Sequence, residues 1–384
     1  LQVVTPLSFE VCIVVITFFA VVWSWMGGLT TVIWTDVMQF FLFIFGGLLG
    51  FVWLISLIDG GVAGYVQAGS EAMKFRLLNL STDPAVGYTL WVALLAMPFQ
   101  NLAAFGTDQL NAQRMFCCRD ASDARKAIIW SCVGQVVTVL MLMVGAALFV
   151  FYQQNPPTEQ VAEAIAGDND RVFPVWIITN IPPGLAGLIL AGAFAAAISS
   201  LDSILAALAQ TSLSLTRLPE TLSQTRLVWM SRVLVLLWGI LLCGFAISLN
   251  SMRGDINMVN LAFGMVAYTY GPMLGILLYA LWAKSGTSRG LVWGAVLSVL
   301  LTIYIRQDLY QILINLQVWT ESTALGWEEW DWAAWLPIQL SLNDAGTVTV
   351  SANVNFAWLY PITTGLTFFA GMLGDLGRGK RLQT

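Results

Sequence analysis

The chain has 384 residues, of which 58% are hydrophobic and only 10% charged, with a mean hydropathy of +0.76 and a formal net charge of −5. Soluble domains carry about 25% charged residues, so the composition marks an all-α or β-barrel integral membrane protein, and no nucleic-acid partner is expected. The sequence contains no histidine, which excludes Ser-His triads, His-ligated zinc and His proton relays from this chain.

Long uncharged runs decide between the two membrane classes. Barrel strands are about 10 residues long and alternate, whereas these runs mostly reach the roughly 20 residues of a membrane helix. They predict nine helices, at about 7–26, 29–58, 85–113, 125–152, 174–213, 225–249, 256–283, 288–306 and 354–376. The second helix carries Asp36 near its start, beside Thr31 and Thr35, which share a face at i, i+4. A helix N-terminus also favours a carboxylate, so capping is an alternative role for Asp36.

The third helix contains Pro98 and Gly106, both helix-weakening, with Asn101, Thr107, Asp108 and Gln109 around them. An interrupted polar membrane helix points to a transporter binding site. Asp108 and Gln109, beside Arg114, read better as a polar helix end; Asn101 is deeper and is the better candidate for facing solute. The fifth helix holds AAAISSLDS, 195–203. Helical spacing puts Ser199, Asp202 and Ser203 on one face, with Ser200 on the adjoining stripe and Ala195, Ala196 and Ala197 allowing a close helix neighbour. A carboxylate among hydroxyls suits a hard cation such as sodium, which takes oxygen ligands. The serines alone are also explained by bonds back to carbonyls one turn earlier, but Asp202 is not.

The connection 307–353 differs from the others. Trp319, Trp327, Trp330, Trp332 and Trp335 crowd it with Glu328, Glu329 and Asp331 between them, a composition suited to the outer membrane interface. Residues 343–355 look like an exposed turn or short hairpin. The five cysteines have neither metal spacing nor a disulfide framework and are read as packing residues. For orientation, the connections 114–126, 214–232 and 284–289 together with 377–384 hold 12 of the 17 basic residues. By the positive-inside rule that side is cytoplasmic, Leu1 lies outside and the C-terminus inside.

Five stretches, GGLTTVIWTDVMQ (27–39), GTDQLNAQR (106–114), DRVFPVW (170–176), PPGLAGLILAGAFAAAISSLDS (182–203) and GPMLGILLYALWAK (271–284), resemble the sodium:solute symporter family of sodium/glucose, sodium/proline and sodium/sialic acid cotransporters. The resemblance implies the LeuT-type fold of two inverted five-helix repeats. Residues 1–58 then match the end of the first repeat, 85–284 the second repeat, and 288–384 C-terminal helices with the Trp-rich connection. The first three core helices have no counterpart, so the chain is read as N-terminally truncated. One or two sodium ions are implied: the main site by the Ala196 carbonyl with Ser199 and Ser200, a second by Asp36, Ser199, Asp202 and Ser203. Asn101 matches a sugar-contacting asparagine. Ala104 stands where sugar-type members have a gating tyrosine and Gly264 where they have a glutamine, which disfavours hexose.

The reading is therefore a sodium-coupled symporter of a small organic solute in a cell membrane, not an enzyme, with a monomeric functional unit. Two alternatives are an intramembrane aspartyl protease using Asp36 and Asp202, and a solute sensor derived from the same family.

Overall fold

A computed structural model describes residues 7–26, 29–165, 168–215, 223–252, 258–283, 288–315, 337–342 and 348–379. In chain order the helices are α1 (Phe9–Met26), α2 (Leu29–Leu57), α3 (Gly61–Glu71), α4 (Met97–Gly106), α5 (Gln109–Phe116), α6 (Ala121–Ser131), α7 (Val136–Gln154), α8 (Glu159–Ile165), α9 (Val172–Asn180), α10 (Pro183–Ser214), α11 (Gln224–Met252), α12 (Met258–Trp282), α13 (Ser288–Ile305), α14 (Gln307–Asn315) and α15 (Leu359–Gly379). Strands β1 (Ile338–Leu342) and β2 (Val348–Ala352) form an antiparallel hairpin between α14 and α15. Among the described residues, seven helical stretches are long and apolar enough to cross a membrane, and Val92–Gly106 and Arg289–Ile305 are shorter apolar helices. Large apolar side chains such as Phe18, Trp34, Phe41 and Val52 stay more than half exposed, as expected where lipid rather than water covers the surface.

Three of the predicted helices are broken, each for a local reason. The one expected over 85–113 widens to a π turn at Val92–Ala96, where the Met97 N–H donates to the Val92 carbonyl. Pro98 has no N–H and its ring crowds the carbonyl four residues back; the wider turn just ahead of it accommodates both. The helix then stops at Thr107. The helix expected over 125–152 begins earlier, at Ala121, because the Asp120 carboxylate accepts from the Asp123 N–H at 2.9 Å. It tightens to a 3₁₀ turn at Cys132–Gln135, around Gly134. The helix expected over 174–213 is split into α9 and α10 at Ile181, which is extended (φ −107°, ψ 137°). Pro182 follows it and disfavours helical backbone in the residue before, while Pro183 opens α10 at the position where its missing N–H is harmless. In the connection 307–353 the structure places α14 and the hairpin, so the hairpin begins before the stretch singled out in the sequence. Trp319, Trp327, Trp330, Trp332, Trp335 and the turn 343–347 lie outside the described residues.

The chain divides into two compact units, Leu1–Arg76 with Gln113–Leu249 and Leu77–Ala112 with Asn250–Thr384. In the first, α2, α3, α7, α9 and α10 share a core of Leu54, Tyr65, Val144, Phe151, Trp176 and Ile189, and α1, α10 and α11 share one of Ala20, Val21, Leu205, Ala209 and Val235. The α2–α10 seam positions the candidate site. A Cβ on Gly192 would sit 3.2 Å from the Leu42 carbonyl oxygen, and one on Gly46 3.4 Å from the Ile189 Cα. Position numbers rise along α2 as they fall along α10, so the two helices run antiparallel with backbone against backbone. Gly192→Val is expected to force them apart and to lower stability by about 1–3 kcal/mol, the range for overpacking, measurable as an earlier thermal unfolding transition in detergent.

In the second unit α12, α13 and α15 pack through small residues and hydroxyls. Gly275 lies under the Thr364 carbonyl and Thr367, and Gly294 lies under Thr367 and Ala370. Buried Ser298 donates to the Thr363 carbonyl at 3.1 Å and pairs with the Thr367 hydroxyl at 2.9 Å. Without a hydrophobic driving force between helices in lipid, such close approach and interhelical bonding hold them together.

Candidate functional site

The predicted ion-binding residues of α2 and α10 all fall in the first unit. The α2–α10 seam brings Asp36 onto Ser199, whose hydroxyl donates to Asp36 Oδ1. Asp36 Oδ2 is 2.8 Å from Nη2 of Arg114, in α5, and the same nitrogen donates to the Ser203 hydroxyl at 2.8 Å. Asp36, Ser199 and Ser203 are thus gathered around one guanidinium. In the sequence Arg114 stood only beside the polar helix end of Asp108 and Gln109; nothing in the local spacing points across to a residue 78 positions earlier.

Asp202 takes a different partner. It is 1% exposed, and its Oδ1 accepts from the Ser24 hydroxyl of α1 at 3.3 Å. Its Oδ2 is buried and accepts no hydrogen bond among the described residues. With Arg114 engaged by Asp36, no side-chain cation among the described residues forms an ion pair with Asp202. A buried carboxylate in that state is costly unless a cation or a proton joins it. Ser24 was missed in the sequence because α1 carries no other polar cue near it.

On the adjoining stripe of α10 the Ser200 hydroxyl, on an exposed residue, donates to the Ala196 carbonyl at 3.2 Å. This is the backward bond considered for the serines. It also places two neutral oxygens side by side at a spacing that one hard cation can span, with the Ser199 hydroxyl one residue before. Asp36 and Asp202 do not hydrogen-bond each other among the described residues: Ser199 and Arg114 hold one, Ser24 the other. The proton-sharing dyad of an aspartyl protease needs that mutual contact.

The three residues matched to solute contacts fall in the second unit. Asn101 and Ala104 lie on α4, just after the π turn, and the Ala104 carbonyl accepts from Asn111 Nδ2 at 2.8 Å. At the break, Asp108 caps α5 by accepting from the Leu110 N–H at 2.9 Å, while the Tyr270 hydroxyl of α12 donates to its other oxygen. Asp108 is therefore a structural joint. Gly264 of α12 lies against the guanidinium of Arg306, so a side chain there would collide with it. Arg306 pairs bidentately with Asp308, Nε to Oδ2 at 2.5 Å and Nη2 to Oδ1 at 2.7 Å, and the Tyr268 hydroxyl donates to Asp308 at 2.7 Å.

The sodium:solute symporter family model matches residues 1–298. The chain is 28% identical over 302 residues to the sodium/sialic acid symporter SiaT of Proteus mirabilis, covering 77% of this chain and 60% of that protein. It is 27% identical to the sodium-dependent multivitamin transporter of Oryctolagus cuniculus, covering 79% and 48% respectively. To the sodium-coupled monocarboxylate transporter 1 of Mus musculus it is 26% identical over 391 residues, covering 96% and 62%. The chain thus spans about half to three-fifths of the length of these relatives. A solved structure of a Na+-coupled sialic acid symporter in a substrate-bound, outward-open state superposes with a TM-score of 0.69 at 24% identity, covering 96% of this chain and 67% of that one, which shows the LeuT-type fold. With a family match over most of its length and that fold, the chain belongs to the sodium:solute symporter family.

Proposed function

We propose that this chain carries out sodium-coupled symport of a small organic solute by alternating access. The observation that carries the reading is the oxygen cluster of the first unit: Ser199 on Asp36, the Ala196 carbonyl beside the Ser200 hydroxyl, and a buried Asp202 oxygen with no hydrogen-bond partner among the described residues. In this reading the Ala196 carbonyl, Ser199 and Ser200 hold the main sodium ion. Asp36, Ser199, Asp202 and Ser203 form a second site, which a cation fills once Arg114 moves off Asp36 and Ser203. The uncompensated carboxylate favours the cation, and the neutral hydroxyls replace its hydration shell. Sodium and solute binding are coupled by a reciprocal free energy, and the membrane potential adds about 2.3 kcal/mol per charge per 100 mV.

Residues 1–58 act as the end of the first inverted repeat, 85–284 as the second, and 288–384 as C-terminal additions, within a cell membrane and with the basic connections on the cytoplasmic side. The matched relatives are named for sialic acid, vitamins and monocarboxylates. The absence of side chains for sugar at Ala104 and Gly264 supports an acid of this kind over a hexose.

Sodium, but not potassium or choline, is expected to raise the unfolding temperature of the purified chain. Ser199→Ala and Ser200→Ala should each weaken that effect by about tenfold in sodium concentration, the loss of one or two oxygen contacts. Equal stabilisation by potassium, or an unchanged response in both variants, would sink the ion-site assignment. Sodium-dependent uptake of a solute panel into reconstituted vesicles then tests transport and separates it from sensing.

A further inference from the structure

Apolar packing sets Ser24 against Asp202. Ser24 follows the buried Ala20 by four residues and the buried Val21 by three, so the three share one stripe of α1. Ala20 and Val21 pack with Leu205 and Ala209 of α10 and Val235 of α11. Ser24 is the polar end of that stripe, and it meets α10 at Asp202, three residues before Leu205. Both helices belong to the first unit. A serine between membrane helices commonly serves packing, by bonding a neighbour's main chain. Here the nearer oxygen belongs instead to the one ionisable side chain of α10.

The contact leaves the two carboxylate oxygens unequal. The Ser24 hydroxyl lies 3.3 Å from Asp202 Oδ1 and 3.5 Å from the Asp202 main-chain carbonyl oxygen. It has one hydrogen to give, and a charged carboxylate is the stronger of these two acceptors. Oδ1 is thereby committed to α1, whereas the buried Oδ2 has no hydrogen-bond partner among the described residues. On α10, Asp202 is flanked by the two hydroxyls that meet the Asp36–Arg114 pair. Ser199, three residues before, donates to Asp36, and Ser203, the next residue, accepts from Arg114. We infer that Ser24 is a positioning residue of the second cation site: by donating to Oδ1 it holds the Asp202 carboxylate so that Oδ2 is the oxygen offered to the ion. The inference rests on the symport reading above and adds α1 to a site otherwise built from α2 and α10.

The test measures the sodium concentration that gives half the full rise in unfolding temperature of the purified chain, with choline making up the salt. Ser24→Ala removes the hydroxyl and should raise that concentration by about threefold to tenfold, the loss of one hydrogen bond to the liganding carboxylate. Ser24→Thr and Ser24→Val have nearly the same shape and differ in the hydroxyl. The threonine variant should stay within about twofold of the parent, and the valine variant should be as weak as the alanine one. In an Asp202→Asn background, Ser24→Ala should shift the concentration by less than about twofold, since no charged oxygen is left to orient. A serine that only tied α1 to α10 would lower the unfolding temperature in choline and leave the sodium concentration unaltered in every variant, which overturns the inference. Equal weakening by threonine and valine overturns it too, as does an undiminished effect of Ser24→Ala in Asp202→Asn. A parent chain with no sodium-specific response overturns the symport reading itself, and this inference with it.

Discussion

Arg306→Ala is expected to lower the stability of the chain by about 3–5 kcal/mol, the range for breaking a buried ion pair from one side. The side chains of Arg306 and Asp308 are 7% and 15% exposed, so water does little to relieve the carboxylate left behind. The substitution also empties the space over Gly264 that the guanidinium fills, adding a packing loss to the electrostatic one. Unfolding by heat or denaturant in detergent reads the change. The double variant Arg306→Ala/Asp308→Ala should recover a large part of it, because no charge is then stranded. A single-variant loss below about 1 kcal/mol, the value of an exposed pair, would mean that solvent reaches the pair.

The second large effect is expected at Arg114. Its side chain and that of Asp36 are 31% and 21% exposed, between the exposed and buried regimes, so Arg114→Ala should cost about 1–3 kcal/mol in choline buffer. The direction in sodium is the informative part. Without the guanidinium, neither Asp36 nor Asp202 has a compensating side-chain cation among the described residues, and an added cation then meets two acids. Sodium should therefore restore more stability to Arg114→Ala than it adds to the unsubstituted chain. A double-mutant cycle with Asp36→Ala separates the pair's own coupling from the rest. If sodium stabilises Arg114→Ala no better than the parent, the guanidinium and the ion do not share Asp36.

Membrane class, the helical spans and the site-bearing stretch 195–203 were legible because they depend on local quantities: run length, charge density and helical spacing. The grouping of Ser199, Asp202 and Ser203 on one face of α10 follows from i, i+3 and i+4, whereas the roles proposed for Ala196, Ser200 and Asp36 came from the resemblance. Arg114 and Ser24 were not legible, since each meets its acid across a tertiary contact whose register no local pattern encodes. Helix breaks were partly legible. Pro98 and Gly106 announced an interruption, yet the form it took, a π turn ahead of Pro98 and a capped restart at Asp108, depends on which carbonyls find partners. Pro182 and Pro183 sit inside a motif whose apolarity reads as one continuous span, which hid the α9–α10 break. Gly264 looked like a lost solute contact; it is also the place that receives Arg306, a residue 42 positions later.

The bare seam between α2 and α10 has a mechanical consequence. Where Gly192 meets the Leu42 carbonyl and Gly46 meets the Ile189 Cα, main chain approaches main chain with little side chain between. Such close approach leaves little room for the two helices to shift against each other, so the spacing of Asp36 from Ser199 is set mainly by main chain. Adjustment around an arriving ion must come from long or peripheral parts: the extended side chain of Arg114 and the single hydroxyl of Ser24. The cluster thus pairs a close backbone seam with a long side chain at its edge, and a guanidinium swinging aside is a far smaller displacement than two helices parting.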